Sequence, residues 1–357
     1  MERFQIRPEI RFGEGALSAL DSLAGQRVLV VTDRFLATSG LLERVRAHLT
    51  GEVQVFDQVT PDPTLELVAQ GVEVFRTFRP EAVVAFGGGS PLDCGKAIVR
   101  FACAQGERRP AFYAIPTTAG TGSEVTSFAV LTHEGTKIPL VEDSLLPDVA
   151  VLDPSFLAGV PSKVTADTGM DVLTHALEAW VSAGANAFTD ALAARAFTMA
   201  WTSLPDAAAG NGAARANMLI ASCMAGLAFN SAGLGVCHSL AHALGGRFHV
   251  AHGRLNGILL PSVMAFNGED REVGRKYSQL AQLCGLSGTV RALVSGVTRM
   301  RMRLELPASL SAAGIGRDEM ISALPELTEA ALADVCRPGN PRPVGKEELE
   351  RLLREAL

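Results

Sequence analysis

The 357-residue sequence lacks several features that would place it in a specialised class of protein. No run reaches the roughly 18 consecutive apolar residues that a membrane helix needs. The six cysteines include no Cys-x-x-Cys pair, so we expect buried free thiols rather than disulfides. The net charge of -6 comes without the basic face that nucleic-acid binding requires. We therefore expect neither a membrane nor a nucleic acid as a partner.

The N-terminus lacks the apolar centre of a signal peptide, because charged residues stand at Glu2, Arg3 and Arg7. Internal repeats and low-complexity tracts are missing as well. Hydrophobic residues make up 48% of the chain and charged residues 20%, which is typical of a folded globular protein. These features predict a cytoplasmic protein.

Two different patterns divide the chain. In the first, short apolar runs at 28–31, 82–86, 112–115 and 149–152 alternate with helix-like stretches at 65–78 and 91–104. Uninterrupted apolar runs suit strands buried on both faces, and their alternation with helices predicts a parallel sheet. Beyond Pro154, Ala, Leu and Met at helical spacing predict helices at 190–204, 213–229 and 346–357. The sequence thus predicts an α/β domain over 1–158 and an all-helical domain over 159–357.

A glycine-rich turn follows the predicted strand 82–86. Residues 87–90, Gly-Gly-Gly-Ser, form this glycine turn, and Pro91 comes next. Glycines let backbone N–H groups approach an anion, and a helix N-terminus adds about half an elementary positive charge. Pro91 suits the first turn of a helix, where its missing N–H costs nothing. The pattern is not Gly-x-Gly-x-x-Gly. The glycine turn is a candidate pyrophosphate site, and a tight turn that binds no ligand is the alternative.

A second candidate loop follows the apolar run 112–115. Residues 116–126, the threonine block, hold four threonines, a serine and two glycines. Hydroxyls and free backbone amides at a strand end suit phosphate, ribose or amide contacts. Because ligands in open α/β sheets bind outside the carboxyl ends of strands, two such loops favour a dinucleotide.

Asp33 ends the predicted strand that begins at Val28. A carboxylate at this place accepts hydrogen bonds from a ribose diol and repels a 2′-phosphate, which favours NAD(H) over NADP(H). The alternative is an aspartate that caps a helix or stabilises a turn.

Five of the seven histidines fall between residues 175 and 252, in the predicted helical half. Asp171 and His175 are four residues apart and share one helix face, and His238 and His242 repeat this spacing. One carboxylate with several imidazoles suits a divalent ion such as Fe²⁺ or Zn²⁺, and His252 is a further ligand candidate. Cys237 points about 100° away from its neighbour His238 on a helix and is not expected to be a ligand. The alternative is a set of polar core residues or helix caps.

Together these segments resemble the iron-containing (group III) alcohol dehydrogenase family over nearly the whole chain. The resemblance rests on the glycine turn with Asp93, the threonine block, Asp171-x-x-x-His175, the segment 238–253, and Asn340-Pro341-Arg342-Pro343. Within the family the chain is most similar to the propanol dehydrogenases of propanediol-utilisation microcompartments. The resemblance implies the fold shared with dehydroquinate synthase, in which an N-terminal dinucleotide-binding α/β domain precedes a helical domain for metal and substrate.

The resemblance also implies roles for individual residues. The metal ligands would be Asp171, His175, His238 and His252. His242 and His252 would be catalytic, and the resemblance places His242 beside the metal without making it a principal ligand. Because imidazole titrates near neutral pH, His242 is the candidate proton relay, with a purely structural role as the alternative. The cofactor would contact Asp33, Asp62, Gly88, Gly89, Ser90, Asp93, Thr117, Thr118, Thr121, Thr126 and Lys137. The family often has Asn where this chain has Asp62, so that carboxylate would either disfavour NADP further or only cap the helix that follows.

The activity implied is NAD(H)-dependent oxidation of short primary alcohols, or reduction of their aldehydes, with Fe²⁺ or alternatively Zn²⁺ as the metal. The resemblance further implies a homo-oligomer, a dimer or larger, with microcompartment enzymes or a shell as additional partners. Three alternatives stay open at this point: a dehydroquinate-synthase-like lyase that uses NAD and a metal, a non-catalytic metal-binding microcompartment component, and a glycerol dehydrogenase.

Overall fold

The structure is a computed structural model, and it describes residues 4–134 and 136–357. The chain divides into two compact units, Met1–Gly159 and Val160–Leu357. The N-terminal unit contains the strands, and the C-terminal unit is built from helices among the residues described. The predicted fold class, a parallel-sheet domain followed by a helical domain, is confirmed.

In the described part of the first unit, six strands form one parallel sheet in the order β1-β8-β5-β4-β2-β3, and β6 and β7 form an antiparallel pair. The strands are β1 (Glu9–Phe12), β2 (Val28–Asp33), β3 (Val53–Val59), β4 (Ala82–Gly87), β5 (Ala111–Pro116), β6 (Phe128–His133), β7 (Thr136–Val141) and β8 (Val149–Leu152). The four predicted apolar runs are β2, β4, β5 and β8. The sequence prediction missed the antiparallel pair β6 and β7, and also β1 and β3, which lie at the two edges of the sheet and are only partly buried.

Both faces of this sheet are covered, which explains the uninterrupted apolar runs. On β2, Leu29 and Val31 pack into one apolar cluster, while Val28 and Val30 belong to the cluster on the other face. The α-helices of the unit are α1 (Arg34–Thr38), α2 (Leu41–Arg46), α3 (Leu65–Phe78) and α4 (Gly89–Ala104). The predicted helix 65–78 is confirmed, and the predicted helix 91–104 begins two residues earlier, inside the glycine turn.

The strand order places three loops of interest side by side. The chain continues from β2 outward to β3, whereas β4 is followed by β5 on its other side, so the order reverses between β2 and β4. Ligands in open parallel sheets bind at such a switch point, outside the carboxyl ends of the strands. Asp33 ends β2, the glycine turn follows β4, and the threonine block follows β5.

The second unit contains helices at all three predicted segments. Its helices are α5 (Ser162–Val181), α6 (Ala187–Ala208), α7 (Gly212–Ala232), α8 (Val236–Phe248), α9 (His252–Asn267), α10 (Arg271–Leu283), α11 (Val290–Arg303), α12 (Arg317–Ala333) and α13 (Lys346–Glu355). Short 3-10 helices span Ala16–Leu23, Ser123–Val125, Asp143–Leu145, Pro154–Leu157 and Arg337–Gly339. Helix α5 is buried on nearly every side, polar residues included.

Within residues 4–134 and 136–357, one helix, α7, is long and apolar enough to cross a membrane by length and composition alone. Within the unit it packs against α5 and α6, and 67% of its most apolar window is buried. Its Arg215 donates to the carbonyl oxygens of Ala207 and Val160. These features are those of a buried core helix.

Candidate functional site

The metal-ligand candidates begin on α5. Asp171, His175 and Glu178 follow one another at intervals of four and three residues, so they lie on one face of this buried helix. The His175 ring stacks between Phe229 of α7, with ring centroids 4.6 Å apart, and His238 of α8, at 4.5 Å. Packing on both ring faces fixes the orientation of this imidazole.

Helices α8 and α9 supply the other two imidazoles. The Asp171 Oδ1 atom lies 3.7 Å from His238 Nε2, 3.6 Å from His252 Nε2 and 4.0 Å from His175 Nε2. All four ligand atoms lie within 4.8 Å of one another. The structure therefore brings together the four residues that the sequence prediction assigned to the metal.

The donor set fits a divalent ion. Ligand atoms around a tetrahedral ion with bonds of about 2.1 Å are about 3.4 Å apart, and the three imidazole nitrogens lie only slightly further than this from Asp171 Oδ1, at 3.6–4.0 Å. One carboxylate oxygen and three imidazole nitrogens are ligands that Fe²⁺ and Zn²⁺ both accept. The carboxylate and the rings of His175 and His238 are almost completely buried, so a cation between them would offset the cost of burying the anion.

Glu178 orients His238, and the sequence prediction did not assign it a role. Its Oε2 atom accepts hydrogen bonds from His238 Nδ1 at 2.6 Å and from the Gly235 amide at 3.0 Å, and its Oε1 atom accepts one from the Cys237 amide at 2.8 Å. With Nδ1 protonated and bonded to Glu178, His238 presents Nε2 to Asp171. The signal in the sequence was the position of Glu178, on the same helix face as Asp171 and His175.

The N-terminus of α8 has no capping side chain of its own. Glu178 accepts from two of its first amides, and Asn340 Oδ1 accepts from the Val236 amide at 3.2 Å. A Cβ at Gly235 would come within 2.9 Å of both Glu178 and Asn340. The segment around Asn340, which contributes to the family resemblance, therefore holds the start of the helix that carries His238 and His242.

Asn256 is a second orienting residue that the sequence prediction missed. Its Nδ2 donates to Asp171 Oδ1 at 2.7 Å, and the thiol of Cys237 lies 3.6 Å from its Oδ1. Because an ionised carboxylate only accepts hydrogen bonds, the NH₂ end of the amide is the end that faces Asp171. Cys237 does not belong to the cluster of Asp171, His175, His238 and His252.

Helices α5 and α9 come close together where Gly253 meets α5. A Cβ on Gly253 would lie 2.0 Å from the Asp167 carbonyl oxygen, so a larger residue cannot occupy this position without moving α9. Arg254 holds the contact with two hydrogen bonds to the Asp167 carboxylate, at 2.6 and 3.1 Å. This close approach sets His252 beside Asp171.

The protonation of the cluster follows from its charges. Burial alone would raise the pKa of Asp171, but the three surrounding imidazoles hold that pKa far below its usual range. Burial would lower the pKa of His238, but its hydrogen bonds to Asp171 and Glu178 raise it to about 9. The Asp171 carboxylate and the His238 ring therefore each favour the charged form of the other.

His242 is held next to the four ligands. Its ring stacks on His252 with centroids 5.1 Å apart, and its Nδ1 pairs with Asp334 Oδ2 at 2.9 Å. Burial favours the neutral acid at Asp334, but His242 outweighs it and lowers the pKa of Asp334 to about 2. Asp334 is a third residue that the sequence prediction missed, because it comes from a loop 92 residues further along the chain.

The cofactor candidates of the first unit also converge in part. The Thr117 amide donates to the Gly87 carbonyl oxygen at 2.9 Å, which joins the threonine block to the glycine turn. A Cβ on Gly89 would come within 2.9 Å of Thr121 Cγ2, and one on Gly88 within 3.5 Å of Thr118 Oγ1. Gly88 is the N-cap of α4 and brings no capping side chain, and Ser90 lies in the first turn.

The remaining cofactor candidates have partners within the protein. Asp33 Oδ1 accepts from the Leu36 amide at 2.8 Å, so the helix-cap alternative is observed for this residue. The Asp93 carboxylate accepts from Ser123 Oγ and from the Val130 amide, and Thr126 Oγ1 accepts from Lys96. These bonds hold the loop together, and the predicted cofactor contacts of Asp93 and Thr126 stay predictions.

Asp62 does not cap the helix that follows it, so that alternative from the sequence is wrong. Thr64 is the N-cap of α3 and accepts from the Leu67 amide at 3.2 Å. Asp62 instead pairs with Lys137 Nζ at 2.8 Å, which brings these two predicted cofactor residues together. Its φ of 53° lies in the left-handed region, which Asn and Asp tolerate better than most residues.

The fold and the ligand cluster place the protein in a class of metal-dependent enzymes whose parallel sheet is of the nucleotide-binding kind. Comparison with known families agrees: residues 8–154 match the model of iron-containing alcohol dehydrogenase, and residues 165–357 match the C-terminal model of the same family. The chain belongs to the iron-containing alcohol dehydrogenase family.

Two relatives and two solved structures illustrate the similarity. The chain is 41% identical to the 1-propanol dehydrogenase PduQ of Salmonella typhimurium over 370 residues, covering all of both chains. It is 36% identical to the NADPH-dependent butanol dehydrogenase of Clostridium saccharobutylicum, covering 99% of this chain and 97% of that one. An iron-containing alcohol dehydrogenase from Thermococcus thioreducens superposes with a TM-score of 0.94 at 31% identity, with 99% of each chain covered.

The second structure is a sulfoacetaldehyde reductase from Bifidobacterium kashiwanohense in complex with NAD⁺, with a TM-score of 0.90 and 28% identity over 100% of this chain and 98% of that one. The predicted family, enzyme class and cofactors are confirmed: the chain is an NAD(H)-dependent alcohol dehydrogenase of the iron type. This decides against the lyase and the non-catalytic component.

We expect Glu178→Gln to weaken metal binding about 10- to 100-fold, the usual effect of losing a residue that orients a metal ligand. The amide keeps the size of the side chain but places an N–H₂ group against one of three N–H donors. Apparent affinity is measured by competition with a chelator, together with the metal content. Glu319→Gln, which alters an exposed pair with Arg247, is the matched control. Metal affinity equal to wild type in Glu178→Gln would contradict the assigned role.

Proposed function

We propose that this protein interconverts short primary alcohols and their aldehydes, such as 1-propanol and propionaldehyde or ethanol and acetaldehyde. The N-terminal unit, predicted as 1–158, is proposed as the NAD(H) domain, and the C-terminal unit, predicted as 159–357, as the domain for metal and substrate. Identity of 41% over the full length of a 1-propanol dehydrogenase supports this choice of substrate.

One observation carries the proposal. The four ligand atoms of Asp171, His175, His238 and His252 lie within 4.8 Å of one another, although they come from three helices. We propose these residues as the ligands of one Fe²⁺, with Zn²⁺ as the other metal that this set accepts. The ion, when bound, supplies a Lewis acid that stabilises negative charge on the substrate oxygen.

The remaining work falls to side chains. A proton must leave the alcohol oxygen as hydride moves to the nicotinamide, and His242 is proposed as the relay. Its Nδ1 is taken by Asp334, so Nε2 is the atom left to exchange a proton. His252 stacks on this ring, so it is proposed to orient His242 as well as to bind metal.

Cofactor binding is proposed at the carboxyl ends of β2, β4 and β5. The first-turn amides of α4 suit a pyrophosphate, because no side chain caps them and the helix end carries partial positive charge. Gly88, Gly89 and Ser90 would hold the phosphates, with Thr117, Thr118, Thr121, Thr126, Asp93, Asp62 and Lys137 around them. Asp33 Oδ2 is the carboxylate oxygen proposed to meet the adenosine ribose.

We also propose a homo-oligomer, and a cytoplasmic location with residence inside a bacterial microcompartment, on the basis of the resemblance noted in the sequence. Native mass measurement tests the first, and fractionation of shells from the source cells tests the second.

We expect anaerobically purified protein to hold about one divalent ion per chain and to oxidise NADH with short aldehydes, because the four ligands form one complete set. Metal analysis and absorbance at 340 nm with an aldehyde panel measure both properties. Asp171→Asn should lose the metal and the turnover together, since the amide brings no negative charge to offset the cation.

His249→Asn is the matched control, because His249 is an exposed histidine in the left-handed conformation that Asn accepts, and it lies outside the cluster. Full activity of Asp171→Asn after treatment with a chelator would refute the metal assignment. Preference for a substrate other than short aldehydes would refute the proposed substrate only.

We expect Asp33→Asn to reduce the preference for NADH over NADPH. The amide oxygen still caps α1 through the Leu36 amide, so the fold is kept while the charge that repels a 2′-phosphate is lost. The ratio of kcat/KM for the two cofactors measures the effect, with an expected fall of about tenfold, equivalent to about 1.4 kcal/mol. Asp21→Asn, which alters an exposed pair with His48, is the control. An unchanged ratio would show that Asp33 does not select the cofactor.

A further inference from the structure

Helix α4 carries two charged side chains behind its N-terminus that metal binding does not explain. Asp93 and Lys96 are three residues apart and therefore share one face of the helix. Both side chains reach the segment that begins with the threonine block and continues into β6. Neither residue is exposed as an ordinary surface charge, and Lys96 has no exposed area at all.

The Lys96 ammonium is fully hydrogen-bonded inside the protein. Its Nζ donates to the Thr126 carbonyl oxygen at 2.8 Å, to Thr126 Oγ1 at 3.2 Å and to the Phe128 carbonyl oxygen at 2.7 Å. An ammonium has three N–H donors, so these bonds use all of them. The end of the threonine block is thus bound to α4 two turns after the glycine turn.

Asp93 binds the same segment on either side of these contacts. Its Oδ1 accepts from Ser123 Oγ at 2.6 Å, and its Oδ2 accepts from the Val130 amide at 2.9 Å. The start of the block is held separately, by the hydrogen bond from the Thr117 amide to Gly87. The block is therefore hydrogen-bonded to the end of β4 at its beginning and to α4 near its end. Helix α4 also binds the chain just beyond the block, at Val130.

The contact between these fastened points is sterically tight. Gly89 faces Thr121 and Gly88 faces Thr118, at distances that leave no room for a Cβ on Gly89. The threonine side chains can hold these positions only while the block stays pressed against α4. The hydrogen bonds of Asp93 and Lys96 supply that restraint from behind.

A buried charge costs stability unless it is paired and hydrogen-bonded, and an apolar residue of similar volume is often as stable or more so. Burial lowers the pKa of Lys96 to about 8, partly offset by the negative charges of Asp93 and Glu124. The buried Oε1 of Glu124 has no hydrogen-bond partner in the described part of the chain. A contribution to stability therefore does not by itself account for these buried charged residues.

We propose that Lys96 is a positioning residue that holds the threonine block against the glycine turn in the geometry that receives NAD(H). The inference rests on the cofactor site proposed above. Lys96 acts through the backbone of Thr126 and Phe128 and not by touching the cofactor. Loss of the Lys96 side chain should weaken NAD(H) binding and leave the metal content unchanged, because every proposed metal ligand belongs to the other unit.

The test is Lys96→Met in the full-length holoenzyme, with Arg100→Met as the control. Arg100 lies one turn further along α4 and pairs with Glu142 at the surface. We expect the Kd for NADH, followed by fluorescence, to rise about tenfold or more for Lys96→Met, because a displaced loop loses preorganised contacts. The metal content should stay at the wild-type level. The melting temperature should fall too little to account for the weaker binding of NADH. Amide hydrogen exchange should become faster over residues 117–128 only.

Lys96→Gln, which keeps one donor group without the charge, serves if the methionine variant does not fold. A folded variant at residue 96 that binds NADH as tightly as wild type would overturn the inference and leave the cofactor site standing. Wild-type protein that binds no NADH would instead overturn the cofactor site itself. Loss of metal together with NADH in the variant would show a general structural defect and would also overturn the inference.

Discussion

The burial of the Asp171 carboxylate is the constraint on which the second unit depends. A carboxylate removed from water is very costly unless cations or hydrogen-bond donors surround it. Here three imidazoles and the Asn256 amide do so, and each is itself held by another group: Phe229 stacks on His175, and Glu178 binds His238. These supports come from α5, α7, α8 and α9. The geometry of the ligands therefore depends directly on how these helices pack. This is why α5 tolerates polar residues on a face where a core helix is normally apolar.

In the first unit the corresponding constraint is the close approach of two loops, the glycine turn and the threonine block. The turn after β4 and the block after β5 lie at adjacent strand ends, and glycines allow them to touch. Contact alone would not keep a loop rich in hydroxyls in one conformation, because such loops find many local hydrogen bonds. The charged pair on α4 limits these alternatives by binding both carbonyl and amide groups of the loop. Both units therefore use buried charge behind a site, in one case around the proposed metal and in the other behind the proposed cofactor loops.

Much of this architecture was predictable, because it depends on local patterns. Strand β4 and helix α3 are visible as an apolar run and a 3.6-residue period, and the pair Asp171 and His175 is visible as a spacing. Edge strand β3 was missed because half of its residues face away from the core, which weakens the apolar signal. The role of Asp334 could not be predicted, because its contact with His242 depends on tertiary packing between residues 92 positions apart. Glu178 was within reach, since a charged residue on the ligand face of a buried helix needs a partner.

The separation of the two sets of residues has a mechanistic consequence. Every proposed metal ligand and every residue that orients one lies within Val160–Leu357, while the glycine turn, the threonine block and the charges of α4 lie within Met1–Gly159. On these assignments, the residues proposed to bind the metal and those proposed to bind the cofactor are stabilised by different cores. Turnover needs both, because hydride transfer requires the nicotinamide and the substrate carbon to be held in a reactive geometry. A substitution that disturbs only one of these proposed sites should change one binding constant and leave the other intact, since no residue is proposed for both the metal and the cofactor.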